Sequence, residues 1–366
     1  MRGAYMAPIL WAPMAPSPGL PLVTIVIPCR DEERHVEGCV RSAMAQDWPR
    51  DRLEILVADG MSMDATREIL ARLAGEDARI HLLDNTARIP ASGLNECIRR
   101  ARGAFIVRMD VHAEYAPDFV RTCVGVLDRT GADNVGGPAK PRAATFFQRC
   151  VAAALGSPLG IGGSRHPVAE DAEGWVESVW PGAFRRDVFE RVGLFDPNAL
   201  SNEDLDLDRR IAAAGGRTYS SPEIGLHYFP RESMRALARQ YFRYGQGRAR
   251  TLLKHGRSAS WGPAMPFFWL LGEAALLATS RWQPLAPWSL AAYALATGAE
   301  AVRVGRQEGP LAVPVVWAIF PIVHVAQGAG FATGLVRYVL KPDWSQGERL
   351  APTEGPSYPS HATASR

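Results

Sequence analysis

Four short apolar runs, at 23–28, 53–58, 79–83 and 104–107, punctuate the first third of the chain. They are strand-length and bounded by turn residues, so they read as buried strands. Helical segments lie between them. One opens behind Cys29 and runs to about residue 44, with Asp31, Glu32 and Glu33 at the positive end of its dipole. One covers 65–73, where Asp64 can cap it and Gly60 permits the tight turn before it. The third covers 90–102 and stops at Gly103. This βαβαβα alternation with short turns predicts an α/β fold with a parallel, doubly wound sheet and helices on both faces. A G-x-G-x-x-G fingerprint is absent after the first strand, and so is a G-K-[ST] phosphate loop. That excludes the dinucleotide-binding dehydrogenases and the P-loop enzymes.

In an open α/β sheet, ligand-binding residues stand just past the carboxyl ends of the strands. Here those places carry acids: Glu32, Asp59 and Asp110, with His112 two residues beyond Asp110. Asp and His are ordinary at a solvated strand end, and Asp110-x-His112 alone says little. Three carboxylates at one sheet edge repel one another unless a cation or a hydrogen-bonding ligand is present. An Asp-x-His pair can hold a divalent cation, and the cation can hold a diphosphate.

Further along, the sequence predicts a helix over 118–129, a short strand at 133–137 and a helix over 186–192 that stops at Gly193. Another helix enters at Ser201 or Asn202 and ends at Gly215–Gly216. Its first turn reads Glu203-Asp204-Leu205-Asp206-Leu207-Asp208. Dipole chemistry accounts for Asp206 and Asp208, while Glu203 and Asp204 sit at the entrance, where a carboxylate can face a cleft. Segment 155–163 is Gly-rich and reads either as a loop over a site or as ordinary surface.

A net charge of +3 over 366 residues gives no reason to expect nucleic-acid binding. Five cysteines without a C-x-x-C read as free thiols. Residues 1–20 are Pro-, Ala- and Met-rich without a continuous apolar core, which reads as a disordered leader rather than a secretory signal. Residues 231–260 are rich in Arg and Tyr and read as a basic interfacial helix. Three apolar segments follow within 261–340, giving two to three expected transmembrane helices. Arg243, Arg248, Arg250, Lys254 and Arg257 precede the first of them, which keeps the preceding domain in the cytoplasm by the positive-inside rule. With three spans the segment after Lys341 lies outside, and 341–366 reads as a disordered tail.

Five blocks carry a resemblance: VTIVIPCRDEE from Val23, VADGMSMDAT from Val57, GLNECIRRARG from Gly93, VRMDVHAEY from Val107 and NEDLDLDRR from Asn202. In that order the chain resembles family 2 glycosyltransferases of the GT-A fold. The resemblance implies a GT-A domain over 21–230 that uses a UDP-sugar and Mn²⁺ or Mg²⁺. It implies that Asp59 binds the uracil or ribose, with Pro28, Arg30 and Glu32 nearby. Asp110 and His112 stand where the family places its metal-binding Asp-x-Asp. Since His112 replaces the second Asp, its imidazole favours Mn²⁺. Asp204 stands at the catalytic base, with Glu203 beside it. Gln240-Tyr241-Phe242-Arg243-Tyr244 resembles the Gln-x-x-Arg-Trp block of membrane-bound members, which puts Gln240 and Arg243 near the diphosphate and acceptor. The implied activity is inverting transfer of a sugar, with glucose the expected one, at the inner membrane in exopolysaccharide biosynthesis. The acceptor would be a polyprenyl-diphosphate-linked oligosaccharide or a polysaccharide, with membrane lipid as a further partner. The competing readings are a nucleotidyltransferase, whose Gly-rich, Arg-containing loop is missing here, and a catalytically inactive scaffold of an assembly complex.

Overall fold

The computed structural model describes residues 19–160, 173–256, 262–345 and 348–350. The leader up to residue 18, positions 161–163 of the Gly-rich segment and the tail beyond 350 fall outside the described residues.

The four expected strands form as Val23–Cys29 (β1), Leu53–Asp59 (β2), Ile80–Asp84 (β3) and Phe105–Arg108 (β4). Helices Val36–Met44 (α1), Thr66–Glu76 (α2) and Pro90–Arg100 (α3) connect them. The strands stand in the order β3-β2-β1-β4, all parallel. Side-chain alternation in a strand distributes the core. Val23, Ile25 and Ile27 of β1 join Leu53, Ile55 and Val57 of β2 in one cluster with α1 and α2. Val26, Leu56 and Ala58 face the other way, onto Leu94, Cys97 and Ile98 of α3. Both faces are therefore covered, as the uninterrupted apolar runs require.

The helix expected right behind Cys29 begins only at Val36. Asp31 takes a left-handed backbone, φ 53°, and residues 30–35 form a loop. Its acids serve the neighbouring loop instead of their own helix. Asp31 accepts from the Met63 N–H at 2.9 Å, and Glu33 accepts from the Ala65 N–H at 3.3 Å. The Glu32 N–H donates to Thr66 Oγ1 at 2.7 Å. The turns after β1 and β2 are thus sewn together above the sheet.

Beyond β4 come Ala113–Tyr115 (β5), Phe119–Thr130 (α4), Asn134–Gly136 (β6), Ala139–Pro141 (β7) and Phe146–Leu155 (α5). Then follow Gly174–Val176 (β8), Ala183–Arg185 (β9), Asp187–Val192 (α6), Glu203–Ala213 (α7), Thr218–Ser220 (β10) and Leu226–Tyr228 (β11). The sheet continues as β4-β9-β6-β10-β8, in which β9 runs antiparallel to both neighbours. The fully parallel expectation therefore holds for the first four strands and for the β6–β10 pair, and fails at β9 and β8. Of the three-residue strands, β6 forms within the strand expected at 133–137; the others carry too little periodicity to be read. Strands β5, β11 and β7 form a separate small sheet. It pins the chain after β4, because the Phe229 N–H donates to the His112 carbonyl at 3.1 Å.

The C-terminal part comprises Met234–His255 (α8), Met265–Ala278 (α9), Ala286–Gly305 (α10) and Ala312–Leu340 (α11). Two to three spans were expected. Among the described residues, α11 alone is long and apolar enough to cross a membrane. Helix α9 has only 14 residues, and α10 carries Glu300 and Arg303. Helices α8 and α11 run against each other at close quarters. A side chain at Gly245 would collide with the Gln327 carbonyl, and one at Gly330 with that of Phe242.

Three sequence expectations change here. Asp206 and Asp208 are not solvated first-turn acids; each is 1% exposed. Asp206 meets Lys254 Nζ and His255 Nε2 of α8 at 2.8 Å each, and Arg210 Nε at 3.2 Å. Asp208 accepts from Asn134 Nδ2 at 2.7 Å and Thr218 Oγ1 at 3.0 Å. Nor is the basic helix wholly free for a membrane surface, since Arg250 and Lys254 are buried against Asp196 at 2.7 and 2.8 Å. The described part of the tail is packed. Asp343 pairs with Arg250 at 2.9 Å, the Ser345 N–H bonds Asp196 at 3.0 Å, and the Leu194 N–H donates to the Glu348 carbonyl at 2.8 Å.

Burial works against the charge of Asp206, but His255, Arg210 and Lys254 outweigh it and hold the carboxyl well below the usual range. A depressed folded-state value contributes stability that is present at neutral pH and lost on acidification. Asp206→Asn breaks a buried ionic network and is expected to cost about 3–5 kcal/mol. Urea denaturation should show the full deficit near pH 7 and a shrinking one as the pH falls through the carboxylate range.

Candidate active site

The site begins where β4 ends. Arg108 is the last residue of the strand and is 4% exposed. A charge in such a place must be paired. Its guanidinium grips Asp110 in a fork, Nε to Oδ1 at 2.8 Å and a terminal nitrogen to Oδ2 at 2.9 Å. The same head reaches Asp204 Oδ1 at 2.6 Å and Glu203 Oε1 at 2.9 Å. Burial opposes this charge, and the carboxylates of Asp110, Asp204 and Glu203 outweigh it, so Arg108 stays charged. One cation meets three carboxyl groups, so the acids of the cluster outnumber the base that holds them.

That excess acts on Asp204. Burial and the neighbouring Glu203 and Asp110 push its carboxyl well above the usual range, against the pull of Arg108. Asp110 takes a further hydrogen bond from Trp180 Nε1 at 2.6 Å, and its N–H lies 2.5 Å from the Tyr115 hydroxyl. The stretch around Gly182 faces the acids, and the Gly182 carbonyl accepts from the Arg108 N–H at 3.1 Å.

Pairing of Cys29 with Asp59 and of Asp59 with Asp84 in register aligns the ends of β1, β2 and β3. Asp59 accepts from Ser62 Oγ at 2.5 Å and from Arg67 at 2.8 Å, and Arg67 also holds Asp84 at 2.8 Å. Glu32 turns to His112, Oε1 to Nε2 at 2.8 Å. The His112 ring meets the edge of His35 with centroids 5.1 Å apart, and His35 stacks on Phe229. The three strand-end acids, Glu32, Asp59 and Asp110, thus do not converge on a shared vacancy. Each has its own protein partner: His112, Arg67 or Arg108.

Pro28 pairs with Ala58 inside the sheet. Arg30 is exposed beside Asp31 at 3.4 Å. Gln240 Nε2 donates to the Tyr244 hydroxyl at 2.9 Å. Asn202 begins α7 without capping it, in a left-handed conformation, φ 59°. Its side chain bonds the Tyr244 carbonyl at 3.3 Å, and Ser201 Oγ bonds the Arg243 carbonyl at 2.9 Å. The Gln240–Tyr244 block therefore abuts the two residues that lead into Glu203–Asp204.

No group of three or more His, Cys, Asp or Glu side chains is arranged around one metal position among the described residues. Asp110, His112 and Glu32 nevertheless offer the oxygen and nitrogen donors that Mn²⁺ takes. The uncompensated negative charge around Arg108 suits a cation. Asp110 and His112 would be its holders, in exchange for their present bonds to Arg108 and Glu32.

Sequence reading missed Arg108, Trp180, Tyr115 and Arg67. Arg108 alone left a signal, a charged residue closing a strand that is otherwise apolar.

The fold and the row of acids along one sheet edge define a GT-A-like α/β glycosyltransferase. A profile described as "Glycosyl transferase family 2" matches residues 24–192. The succinoglycan biosynthesis protein ExoA of Rhizobium meliloti (strain 1021) is 33% identical over 312 residues, 84% of this chain and 93% of that protein. The chain belongs to glycosyltransferase family 2. A second relative, 23% identical over 86% of this chain and 97% of its own length, is a Methanococcus voltae enzyme. It is named dolichyl N-acetyl-alpha-D-glucosaminyl phosphate 3-beta-D-2,3-diacetamido-2,3-dideoxy-beta-D-glucuronosyltransferase. The mannosyltransferase PcManGT from Pyrobaculum calidifontis, solved with GDP-Man and Mn²⁺, shares the fold with a TM-score of 0.55. It is 22% identical and covers 89% of each chain.

Arg108→Met keeps the bulk and removes the charge, leaving three partly buried carboxyl groups facing one another. The expected loss is about 3–5 kcal/mol in urea denaturation. A carboxyl whose folded-state value is raised takes up protons on folding, so stability is recovered as the pH falls. The deficit should therefore be smaller at pH 5 than at pH 8, and Arg108→Lys should recover part of it.

Proposed function

We propose that the chain is a membrane-attached, inverting hexosyltransferase that moves a sugar, glucose first among candidates, from a UDP-sugar to a lipid-linked oligosaccharide or polysaccharide acceptor in exopolysaccharide biosynthesis. The observation that carries the reading is the meeting of Asp110, from the end of β4, with Glu203 and Asp204, from the entrance of α7, on one buried guanidinium. Two segments almost a hundred residues apart supply a phosphate-side acid and an acceptor-side acid within one side chain's reach. Similarity to ExoA and to the Methanococcus enzyme supports the acceptor class.

In this reading Asp59, steadied by Ser62 and Arg67, binds the uracil or ribose, and Pro28, Arg30 and Glu32 flank the nucleotide. Gln240 and Arg243 border the diphosphate and acceptor. Asp110 and His112 hold Mn²⁺ or Mg²⁺; the ion, when bound, neutralises charge on the departing diphosphate. Asp204 takes the proton of the acceptor hydroxyl, and its raised pKa fits that task. The acceptor oxygen forms the new bond to the anomeric carbon as the bond to the phosphate oxygen breaks, and its electrons leave with UDP. One in-line displacement inverts the anomeric centre and needs no glycosyl-enzyme intermediate. Glu203 orients Asp204 or the acceptor hydroxyl.

Release of UDP with acceptor present, measured over a donor panel that includes UDP-glucose, UDP-GlcNAc and GDP-mannose, tests the donor. GDP release in place of UDP release overturns the nucleotide assignment. Asp204→Asn should leave donor affinity nearly intact and cut turnover by about 10²–10⁴. Normal turnover in that variant with an inactive Glu203→Gln moves the base to Glu203. Asp110→Ala should abolish both transfer and metal-dependent UDP binding, and His112→Asp should retain activity and shift preference from Mn²⁺ towards Mg²⁺. Full activity in EDTA refutes the metal role.

A further inference from the structure

By length and composition α11 is the helix that would cross a membrane. Its packing contradicts that. From its first turns to its last, α11 lies against parts of the catalytic domain or against α8. Ala312, Val316, Ile319 and Phe320 share a core with Cys150, Val151 and Ala154 of α5 and with Leu237 and Tyr241 of α8. Farther on, Gly330 and Gly334 abut Phe242 and Gln246, and Tyr338 lies beneath the Arg250 guanidinium. Contacts advance in the same direction on both helices, so α11 runs parallel to α8 along its length. Helix α8 cannot cross a bilayer. Arg235, Arg239 and Arg243 stand exposed on it, Arg250 and Lys254 are tied to Asp196, and its start follows β11 directly. A helix locked alongside α8 does not cross either. The chain after α11 confirms the constraint, because Asp343, Ser345, Glu348 and Leu350 return to Arg250, Asp196, Leu194 and Phe189.

Exposed apolar side chains remain at Leu311, Val336, Val339 and Leu340, and more of them lie on the two helices before α11. Helices α9 and α10 form an antiparallel hairpin, with Trp269 stacked on Tyr293 at 4.3 Å and Ser289 bonded to Glu273. The hairpin is held at both feet, where Ala264 clusters with Ala249 and Phe331 and where Ala301 and Val304 join the core with α5, and between them along α11, where the Tyr293 hydroxyl meets His324 Nδ1 at 2.7 Å and Trp317 Nε1 donates to Thr297 Oγ1 at 3.2 Å. On the faces turned away from those contacts Leu271, Leu277, Trp282, Leu285, Trp288 and Leu295 are exposed, Trp282 by 75% and Leu295 by 74%. Apolar patches of this extent mark a contact surface. At 14 residues α9 is too short to cross, but a hairpin whose turn and flanks carry Trp282, Trp288 and exposed leucines fits shallow insertion at the interface of a lipid bilayer.

We propose that the α9–α10 hairpin is the membrane-inserted element, entering and leaving on the side of the catalytic domain. Helix α11 is a membrane-surface strut, and the segment after it stays with the catalytic domain. This rests on membrane attachment in the functional reading but not on its chemistry. It replaces the three-span arrangement with its tail outside.

The test uses the full chain with a fluorescent protein or alkaline phosphatase fused at either end, together with alkaline carbonate extraction. The expected result is that both ends report the cytoplasm and that the protein stays in the carbonate-washed pellet. Leu277→Asp combined with Leu295→Asp should move it to the soluble fraction with its melting temperature unchanged. A C-terminal reporter on the side opposite the N-terminal one overturns the proposal, as does complete extraction of the unsubstituted chain by carbonate. Neither readout depends on sugar transfer, so an inactive donor panel leaves this result standing and a failed topology leaves the chemistry standing.

Discussion

The site depends on one buried positive charge shared among three carboxylates. Arg108 closes a strand that is otherwise apolar, and its position is set by backbone register, with the Met109 N–H bonded to the Val26 carbonyl at 3.0 Å. The strand cannot end there unless acids arrive to neutralise the guanidinium. Asp110 arrives through the chain, and Glu203 and Asp204 arrive through the start of α7. Coulombic attraction in a site with little water is strong and geometry-sensitive. The guanidinium therefore fixes the spacing between the two halves of the site without a ligand, and the surplus of negative charge keeps the site receptive to a cation.

A second set of ionic contacts ties the helical part to the domain. Asp196 is fully buried and Asp206 nearly so, and Lys254 reaches both. Removing two such acids from water is costly, and the return comes only if every lone pair is satisfied. Arg250, His255, Arg210 and the Ser345 N–H complete that satisfaction. Because α7 carries both Asp204 and Asp206, the network that seats α8 also seats the proposed base.

Much of this was legible in the sequence because it rests on local patterns. The apolar runs of β1 to β4 announced themselves, as did the acids past their ends and the Glu203–Asp204 pair. Apart from β6, the three-residue strands did not: β9 takes its place through pairing with β4 and β6 rather than through any period of its own. Partner choice was equally illegible. Nothing in the spacing of Glu32, Asp59 and Asp110 says that His112, Arg67 and Arg108 will claim them one by one. Asp206 and Asp208 looked like solvated first-turn acids because a helix terminus explains acids without reference to what packs on it. The glycine contacts that bind α11 to α8 are likewise long-range and leave no mark in a window average of hydropathy.

The return of residues 343–350 onto Asp196, Leu194 and Phe189 bears on how the protein is made. These contacts become available on the ribosome only after the sheet, α7 and α8 have been synthesised. Until then Asp196 and Lys254 lack the backbone partners that Ser345 supplies, and the surface around Phe189 lacks Leu350. Maturation of the domain is therefore coupled to passage of the apolar hairpin through the exit tunnel. A nascent chain stalled before α11 would present a nearly finished sheet with its closing clasp still open.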